Sequence, residues 1–289
     1  MIPQVFHRHV DVDGVRVFYR EAGPAAAPTL LLLHGFPSAS HQFRRLIDAL
    51  GGRFHLVAPD YPGFGHSGDL DGRHTFDRLA DTVEGFVDAL GLRRFALYAF
   101  DFGGPVGFRL AVRRPELVTG LVVQNANAYV DGLSDAARAF IANDDRAVAA
   151  GFMTLAATRG QYEDGVTDPA LVSPDGWTLD QHFLDLPGRA DIQVDLALDY
   201  RSNVDRYPEW QEWLRTAQPP TLVVWGRGDA IFTEDGAKAY LRDVPDAELH
   251  LFDTGHFALE ECLPEIAPLV AAFLDRLGAD AQESRTPRS

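Results

Sequence analysis

Continuous apolar stretches alternate with helical patterns along the first 125 residues of this 289-residue chain. The stretches "TLLLL", "FHLVAP", "RFALYAF" and "LVTGLVV" have the length and composition of strands that are buried on both faces of a sheet. Between two of them, Leu79, Val83, Phe86 and Leu90 recur at helical spacing. This alternation predicts an α/β fold, with a mostly parallel sheet and helices on both faces.

The alternation is interrupted once, which indicates how the chain is divided. "VFHRHV" and "VRVFYREAG" flank an Asp-Gly pair and predict a hairpin at the start. From Tyr129 to Thr216 no clear buried strand is visible, and "QPPTLVVWG" then restores the strand pattern. We therefore expect a helical cap over the carboxyl ends of the strands, where open α/β sheets bind ligands. The predicted parts are a core at 1–128 and 217–279, a cap at 129–216 and a disordered polar tail at 280–289.

Composition excludes several classes of function. The net charge of −16 argues against binding of nucleic acid, because phosphates would be repelled. Cys262 is the single cysteine, so an intrachain disulfide cannot form. Apolar runs fall short of the ~20 residues of a membrane helix, and no signal-peptide pattern opens the chain, so we expect a cytoplasmic protein that does not bind membranes.

The sequence also carries no pattern for a metal or a cofactor. The ten histidines form no ligand spacing typical of a metal site. "GPVG" is too short for a loop that binds phosphate or a dinucleotide. We therefore expect no metal and no cofactor, and the sequence leaves a homodimer open.

An aspartate stands at a sharp boundary between a predicted strand and a predicted helix. In "AFDFG", Asp101 has small residues two positions before and two positions after it. That spacing is typical of a nucleophile elbow, which is usually written G-x-S-x-G and has serine at its centre. Aspartate is also favoured as the N-cap of a helix, so this motif alone leaves both interpretations open.

Further motifs follow other predicted strands. "HGFP" follows the third strand, and "DYPGFGHS" follows the fourth. Asp229 in "GRGDAIF" and His256 in "DTGHFALE" each come just after a later strand. The order of acid nucleophile, Asp229 and His256 matches the order of the catalytic residues in hydrolases with such an elbow.

Taken together, these motifs resemble the α/β-hydrolase superfamily, and within it the branch with an aspartate nucleophile. The chain resembles epoxide hydrolases and haloalkane dehalogenases, and more distantly fluoroacetate dehalogenases. The resemblance implies the α/β-hydrolase fold with a helical cap. It also implies that Asp101 forms an alkyl-enzyme ester, and that His256, oriented by Asp229, activates the water that cleaves it.

The resemblance extends to the groups around the nucleophile. The backbone N–H groups of Phe36 and Phe102 would form the oxyanion hole for ester cleavage. The Phe36-Pro37 bond would be cis, as in the family. The helix that begins near Gly103 would favour the ionised form of Asp101 through its positive end.

The residues that would assist the leaving group favour epoxides over halides. Dehalogenases carry a tryptophan after the nucleophile and an asparagine or a second tryptophan as halide donors, but this chain has Phe102 and Phe36 at the two positions that the motifs identify. The arginine that follows the nucleophile in fluoroacetate enzymes is missing too. Epoxide hydrolases use cap tyrosines as proton donors, and the candidates here are Tyr200 in "LDYRSNV" and Tyr162 in "TRGQYEDG", with Tyr207 as a rival.

We therefore predict an epoxide hydrolase that makes a vicinal diol from a small apolar or amphipathic organic substrate. A haloalkane dehalogenase is the alternative, because cap tryptophans could donate to a halide. A non-catalytic small-molecule receptor on the same fold, or an enzyme with an unusual reaction such as a cyclisation, is a further alternative. The side chains expected to bind substrate are His34, Pro37, Asn125, Trp177 and Phe257.

Overall fold

The computed structural model describes residues 3–283, and the core of this part is one sheet of eight strands. Along the chain the strands are β1 (Val5–Val12), β2 (Val15–Ala22), β3 (Thr29–Leu33), β4 (His55–Pro59), β5 (Phe95–Phe100), β6 (Val118–Gln124), β7 (Thr221–Gly226) and β8 (Glu248–Phe252). Their order across the sheet is β1-β2-β4-β3-β5-β6-β7-β8. β2 pairs antiparallel with β1 and with β4, and the pairs from β4 to β8 are parallel. The predicted α/β class and the hairpin at the start are confirmed.

Helices cover both faces of the sheet. Within residues 3–283 they are α1 (Arg44–Leu50), α2 (Phe76–Ala89), α3 (Gly103–Arg113), α4 (Asp135–Ala142), α5 (Arg146–Ala150), α6 (Leu155–Glu163), α7 (Pro174–Leu184), α8 (Arg189–Asp199), α9 (Arg201–Ala217), α10 (Glu234–Asp243), α11 (Ala258–Glu261) and α12 (Leu263–Glu283). None of these described helices is long and apolar enough to cross a membrane.

The run of four leucines in β3 explains the two layers of helices. Alternate residues of a strand point to opposite faces of the sheet. Leu31 and Leu33 belong to the apolar cluster that includes side chains of α2 and α3. Leu30 and Leu32 belong to the cluster that includes side chains of α1 and α12. A strand with leucine on both faces is therefore stable only where both faces are covered, as they are here.

The segment between β6 and β7 contains α4 to α9, and it contacts the core through polar pairs. The guanidinium of Arg109 in α3 donates to Asn203 of α9 at 2.7 Å. Arg189 of α8 donates to the carbonyl of Ser67 at 2.6 Å. His41 lies 2.8 Å from the fully buried Asp180 of α7. Helices lie where the cap at 129–216 was predicted, and its status as a separate domain stays a prediction.

The predicted tail needs a correction. α12 continues to Glu283, so residues 280–283 are helical and the expectation of disorder from residue 280 was wrong for them. The stretch "ADAQE" has good helix formers and no proline, so nothing in it ends the helix. The rest of the predicted tail, residues 284–289, lies outside the described residues.

Candidate active site

Asp101 lies in a strained turn between β5 and α3. Its φ angle is +48°, in the left-handed region that costs a non-glycine residue about 1–3 kcal/mol. The turn is tight on both sides: a Cβ atom at Gly103 would lie 2.1 Å from the carbonyl oxygen of Leu33, and one at Gly35 would lie 2.3 Å from Cβ of Asp101. The N-cap of α3 is Phe102, so Asp101 does not have the N-cap role that its motif also allowed.

Backbone N–H groups of Phe36 and Phe102 stabilise the charged form of Asp101. The N–H of Phe36 donates to Oδ1 at 2.7 Å, and the N–H of Phe102 lowers the pKa of the same carboxyl. Burial raises the pKa of Asp101 to about 6, while the nearby His256 and these two N–H groups oppose that rise. The two residues predicted for the oxyanion hole therefore both contact the predicted nucleophile. The Phe36-Pro37 bond is cis, as predicted.

His256 connects Asp101 with Asp229. Its Nδ1 atom lies 2.6 Å from Oδ2 of Asp229, and its Nε2 atom lies 3.7 Å from Oδ2 of Asp101. Among the described residues, Nε2 has no hydrogen-bond partner although it is buried. Burial lowers the pKa of His256, but Asp229 and Asp101 raise it by more, so the net pKa is above the ordinary value. The arrangement leaves Nε2 free to exchange a proton on the side of Asp101.

Asp229 is fixed by the loop after β7 and by a residue that directly follows β6. Its Oδ1 atom accepts from the N–H groups of Ile231 at 2.8 Å and Phe232 at 3.1 Å. Its Oδ2 atom accepts from the amide of Asn125 at 2.9 Å. Asn125 also exchanges two hydrogen bonds with the backbone of Gly226. The prediction that Asn125 binds substrate was wrong: it is fully buried behind Asp229 and positions that carboxylate.

A small apolar cavity of about 110 Å³ opens onto Asp101. Aromatic rings form much of its wall: Phe36, Phe102, Phe140, Phe152 and Phe232. The polar side chains of Tyr200 and Gln161 line it together with Asp101. We call this space the substrate cavity.

Of the predicted proton donors, Tyr200 is the one that lines the same cavity as Asp101. It lines the substrate cavity, and its ring packs against Phe102 with centroids 5.9 Å apart. Its buried hydroxyl has no hydrogen-bond partner among the described residues. Burial raises the pKa of Tyr200 well above its ordinary value, so the hydroxyl keeps its proton at neutral pH. Tyr207, the rival candidate, is buried but is not part of the cavity wall.

Three other predicted residues lie together outside the substrate cavity. The hydroxyl of Tyr162 donates to Asp180 at 2.6 Å, and its ring stacks on Phe257 with centroids 3.8 Å apart. Trp177 packs on the edge of Tyr162 at 5.9 Å. Phe257 also packs against the ring of His256 at 5.4 Å, behind the site. The predicted roles of Tyr162 as an acid and of Trp177 and Phe257 in binding substrate are therefore corrected.

His34 and Pro37 support the site without lining the cavity. Nε2 of His34 accepts from the N–H of Tyr61 at 3.1 Å, which makes Nδ1 the donor to the carbonyl of Gly35 at 3.1 Å. Burial lowers the pKa of His34 to about 4, so its ring is neutral. His34 thus joins the ends of β3 and β4, and Pro37 is buried beside it. Their predicted contact with substrate is corrected.

Sequence reasoning missed Gln161, the residue next to Tyr162. Successive residues of a helix point about 100° apart, so only one of two neighbours faces a given side. In α6 it is Gln161 that lines the substrate cavity, while Tyr162 faces Asp180. The motif around Tyr162 gave no means of choosing between the two faces of the helix.

Two of the cap tryptophans that could donate to a halide lie outside the substrate cavity. The ring N–H groups of Trp210 and Trp213 are buried and unpartnered among the described residues, but neither tryptophan lines the substrate cavity. In residues 3–283 no group of three or more histidine, cysteine, aspartate or glutamate side chains is arranged to hold a metal ion.

Comparisons with known proteins show a family and several proteins to which the chain is similar. A family described as the alpha/beta hydrolase fold matches residues 28–262. A Saccharomyces cerevisiae protein named uncharacterized hydrolase YNR064C is 43% identical over 273 residues, which cover 91% of this chain and 94% of that protein. A haloalkane dehalogenase of Bradyrhizobium diazoefficiens is 38% identical over 114 residues, which cover 39% of this chain and 37% of that protein. The solved epoxide hydrolase CorEH is 21% identical with a TM-score of 0.79, over 95% of this chain and 100% of that one, a likeness of fold alone.

Proposed function

The chain belongs to the α/β-hydrolase family, and within that family we propose that it is an epoxide hydrolase that acts through an ester of Asp101. The observation that carries the proposal is that Asp101 and Tyr200 line one apolar cavity, and that the buried hydroxyl of Tyr200 has no hydrogen-bond partner among the described residues. A carboxylate can attack a saturated carbon without a base, and an epoxide oxygen needs a proton as it departs. This pair supplies both groups.

In the first step, Oδ2 of Asp101 attacks an epoxide carbon, and the bond between that carbon and the epoxide oxygen breaks. Tyr200 gives its proton to the departing oxygen and becomes a tyrosinate. Oδ1 stays bonded to the N–H of Phe36 at 2.7 Å, so Oδ2 is the oxygen left free to react. The product of this step is a hydroxyalkyl ester of Asp101.

In the second step, Nε2 of His256 takes a proton from water, and the hydroxide adds to the carbonyl carbon of the ester. Negative charge develops on the oxygen that faces the N–H groups of Phe36 and Phe102, which stabilise it. Collapse expels the diol oxygen as an alkoxide, which takes the proton of the newly formed carboxylic acid of Asp101, and the proton held by His256 restores the hydroxyl of Tyr200. The sum is one epoxide and one water consumed for one diol.

The substrate is small and apolar or amphipathic. The substrate cavity of about 110 Å³ accommodates one compact group, and its aromatic wall favours an aryl or short alkyl substituent. An epoxide that carries one such group fits this chemistry.

Dehalogenation of a haloalkane is the second candidate function. The similarity to a named haloalkane dehalogenase over 114 residues favours it. A halide leaves without a proton but needs N–H donors, and Gln161 is the side-chain N–H donor in the described wall of the substrate cavity. Since phenylalanine occupies positions 36 and 102, this support for a halide is weaker than the support that Tyr200 gives to an epoxide.

A turnover panel separates the two candidates. Purified protein is incubated with styrene oxide, with short 1,2-epoxyalkanes and with matched 1-bromoalkanes, and diol and bromide are measured. The Asp101→Ala variant corrects each rate for spontaneous reaction. We expect diol from at least one epoxide at a rate well above that of the variant, and slow bromide release. Fast bromide release with no diol would instead assign the protein as a dehalogenase.

A further inference from the structure

A second cavity of about 250 Å³ adjoins the substrate cavity. The two share Phe152, Gln161 and Ile231 as wall residues. Asp101 lines the substrate cavity but not the second cavity, whereas His256 and Asp229 line the second cavity but not the substrate cavity. The nucleophile thus lines one space and the histidine lines the other, with Gln161 on the wall of both.

Helix α6 leaves room for this second cavity because its residues there are small. Ala156, Ala157 and Gly160 form its wall on one side. A Cβ atom added at Gly160 would meet no atom closer than Oδ2 of Asp164, at 3.4 Å. Ala156 and Asp164 are exposed, so the cavity reaches the protein surface at a polar end.

The chemistry of the ester requires a separate source of water. Once Asp101 carries an alkyl group, that group fills the small apolar substrate cavity and excludes water from it. A water must nevertheless reach Nε2 of His256, and an ordered water needs about two to four polar partners. The second cavity offers His256, Gln161 and the exposed Asp164 as such groups along one path.

We propose that the second cavity supplies the hydrolytic water to His256 and that the amide of Gln161 aligns this water for attack on the ester. We call it the water cavity. This inference rests on the proposed function, because it concerns the second step of that reaction. In this proposal the ester forms in the substrate cavity and the water that cleaves it comes from the water cavity. Gln161 is then a positioning residue for hydrolysis.

The test measures formation and decay of the ester separately. Ala157→Phe fills the water cavity, and Leu155→Phe adds the same bulk on the same helix at an exposed position outside both cavities. Styrene oxide and 1-bromobutane serve as probes. Rapid quenching and intact-mass spectrometry follow the mass of the esterified protein, and thermal unfolding verifies that each variant folds.

We expect Ala157→Phe to slow decay of the ester by roughly 10²-fold, the effect of misplacing one reactant, while ester formation stays within about threefold of the wild type. Leu155→Phe should change neither rate. Gln161→Leu keeps the size of the side chain but removes the amide, so with styrene oxide it should slow decay and spare formation. This variant also provides the test if Ala157→Phe fails to fold.

Three results would overturn the inference, and they are distinguishable. With styrene oxide, an ester that forms normally and decays at the wild-type rate in Ala157→Phe and Gln161→Leu, or an equal slowing of formation and decay in these variants, would overturn the water cavity alone. Failure of both probes to esterify Asp101, even when His256 is replaced by glutamine, would overturn the proposed function and the water cavity with it.

Discussion

The Nε2 atom of His256 lies 3.7 Å from the Oδ2 atom of Asp101, beyond hydrogen-bond distance but within the range of an ion pair. The same ring is held at 2.6 Å by Asp229 on its other side. The histidine is therefore oriented by one carboxylate and faces a second one without binding it. A base in this position does not block the nucleophile, and it can act on a water after the nucleophile has reacted.

Replacement of His256 should separate the two half-reactions. In His256→Gln, Asp101 should still attack the substrate because its carboxylate is already ionised. Hydrolysis of the ester should slow by about 10²–10⁴-fold, the typical contribution of a general base. Intact-mass spectrometry should then detect protein plus the mass of the substrate. Absence of this adduct, with a substrate that the wild type consumes, would mean that His256 acts before the ester forms.

Removal of the Tyr200 hydroxyl should affect epoxides selectively. Tyr200→Phe should slow esterification by styrene oxide by about 10²–10⁴-fold, because the departing oxygen loses its acid. Esterification by a bromoalkane should hardly change, since bromide leaves without a proton. Tyr162→Phe is the matched control: its hydroxyl bonds to Asp180 outside the substrate cavity, so the epoxide rate should stay near that of the wild type. Equal losses in the two variants would remove the assignment of Tyr200 as the acid.

The pH dependence of the two steps should differ in a defined direction. Ester formation needs the ionised form of Asp101, whose pKa is about 6, so its rate should fall as the pH drops below that value. Ester hydrolysis needs neutral His256. Esterification removes the charge of Asp101, which is one cause of the raised pKa of His256, so this pKa should be lower in the ester than in the free enzyme. Single-turnover rates measured from pH 5 to pH 9 test both statements. A rate of ester formation that does not vary with pH would contradict the first.

Asn125 should matter for stability and for hydrolysis. In Asn125→Ala, the buried Oδ2 of Asp229 loses its amide donor and the backbone of Gly226 loses two partners. The free energy of unfolding should fall by about 1–3 kcal/mol, the cost of leaving buried polar groups unpaired. Ester decay should slow more than ester formation, because Asp229 acts through His256. Denaturant unfolding and the rapid-quench assay measure the two effects, and a wild-type ratio of the two rates would limit Asn125 to a role in stability.

The arrangement around the nucleophile could be predicted from the sequence because each group follows a strand. Asp101 directly follows β5, Asp229 and His256 lie in the loops after β7 and β8, and the carboxyl ends of parallel strands meet at one edge of the sheet. The small residues at positions 99 and 103 marked the turn at Asp101, and at Gly103 a Cβ atom would lie 2.1 Å from the carbonyl oxygen of Leu33. The spacing of small residues around Asp101 therefore has a steric cause.

The helical segment between β6 and β7 could not be predicted at the same level of detail. Which residue of α6 faces the substrate cavity depends on the rotation of the helix against the core, and no local motif encodes that rotation. Tyr162 and Gln161 are neighbours in sequence, yet one bonds to Asp180 and the other lines the cavity. Asn125 illustrates the same difficulty in the core, since its partner Asp229 lies 104 positions away along the chain.

The central claim is that Asp101 becomes covalently bound to the substrate, and isotope labelling tests it most directly. Excess protein is allowed one turnover of styrene oxide in water enriched in heavy oxygen, and the peptide that contains Asp101 and the diol are analysed by mass spectrometry. Because water attacks the carbonyl carbon of the ester, Asp101 should gain one heavy oxygen and the first diol should contain none from water. Heavy oxygen in the first diol, with none in the Asp101 peptide, would contradict the account.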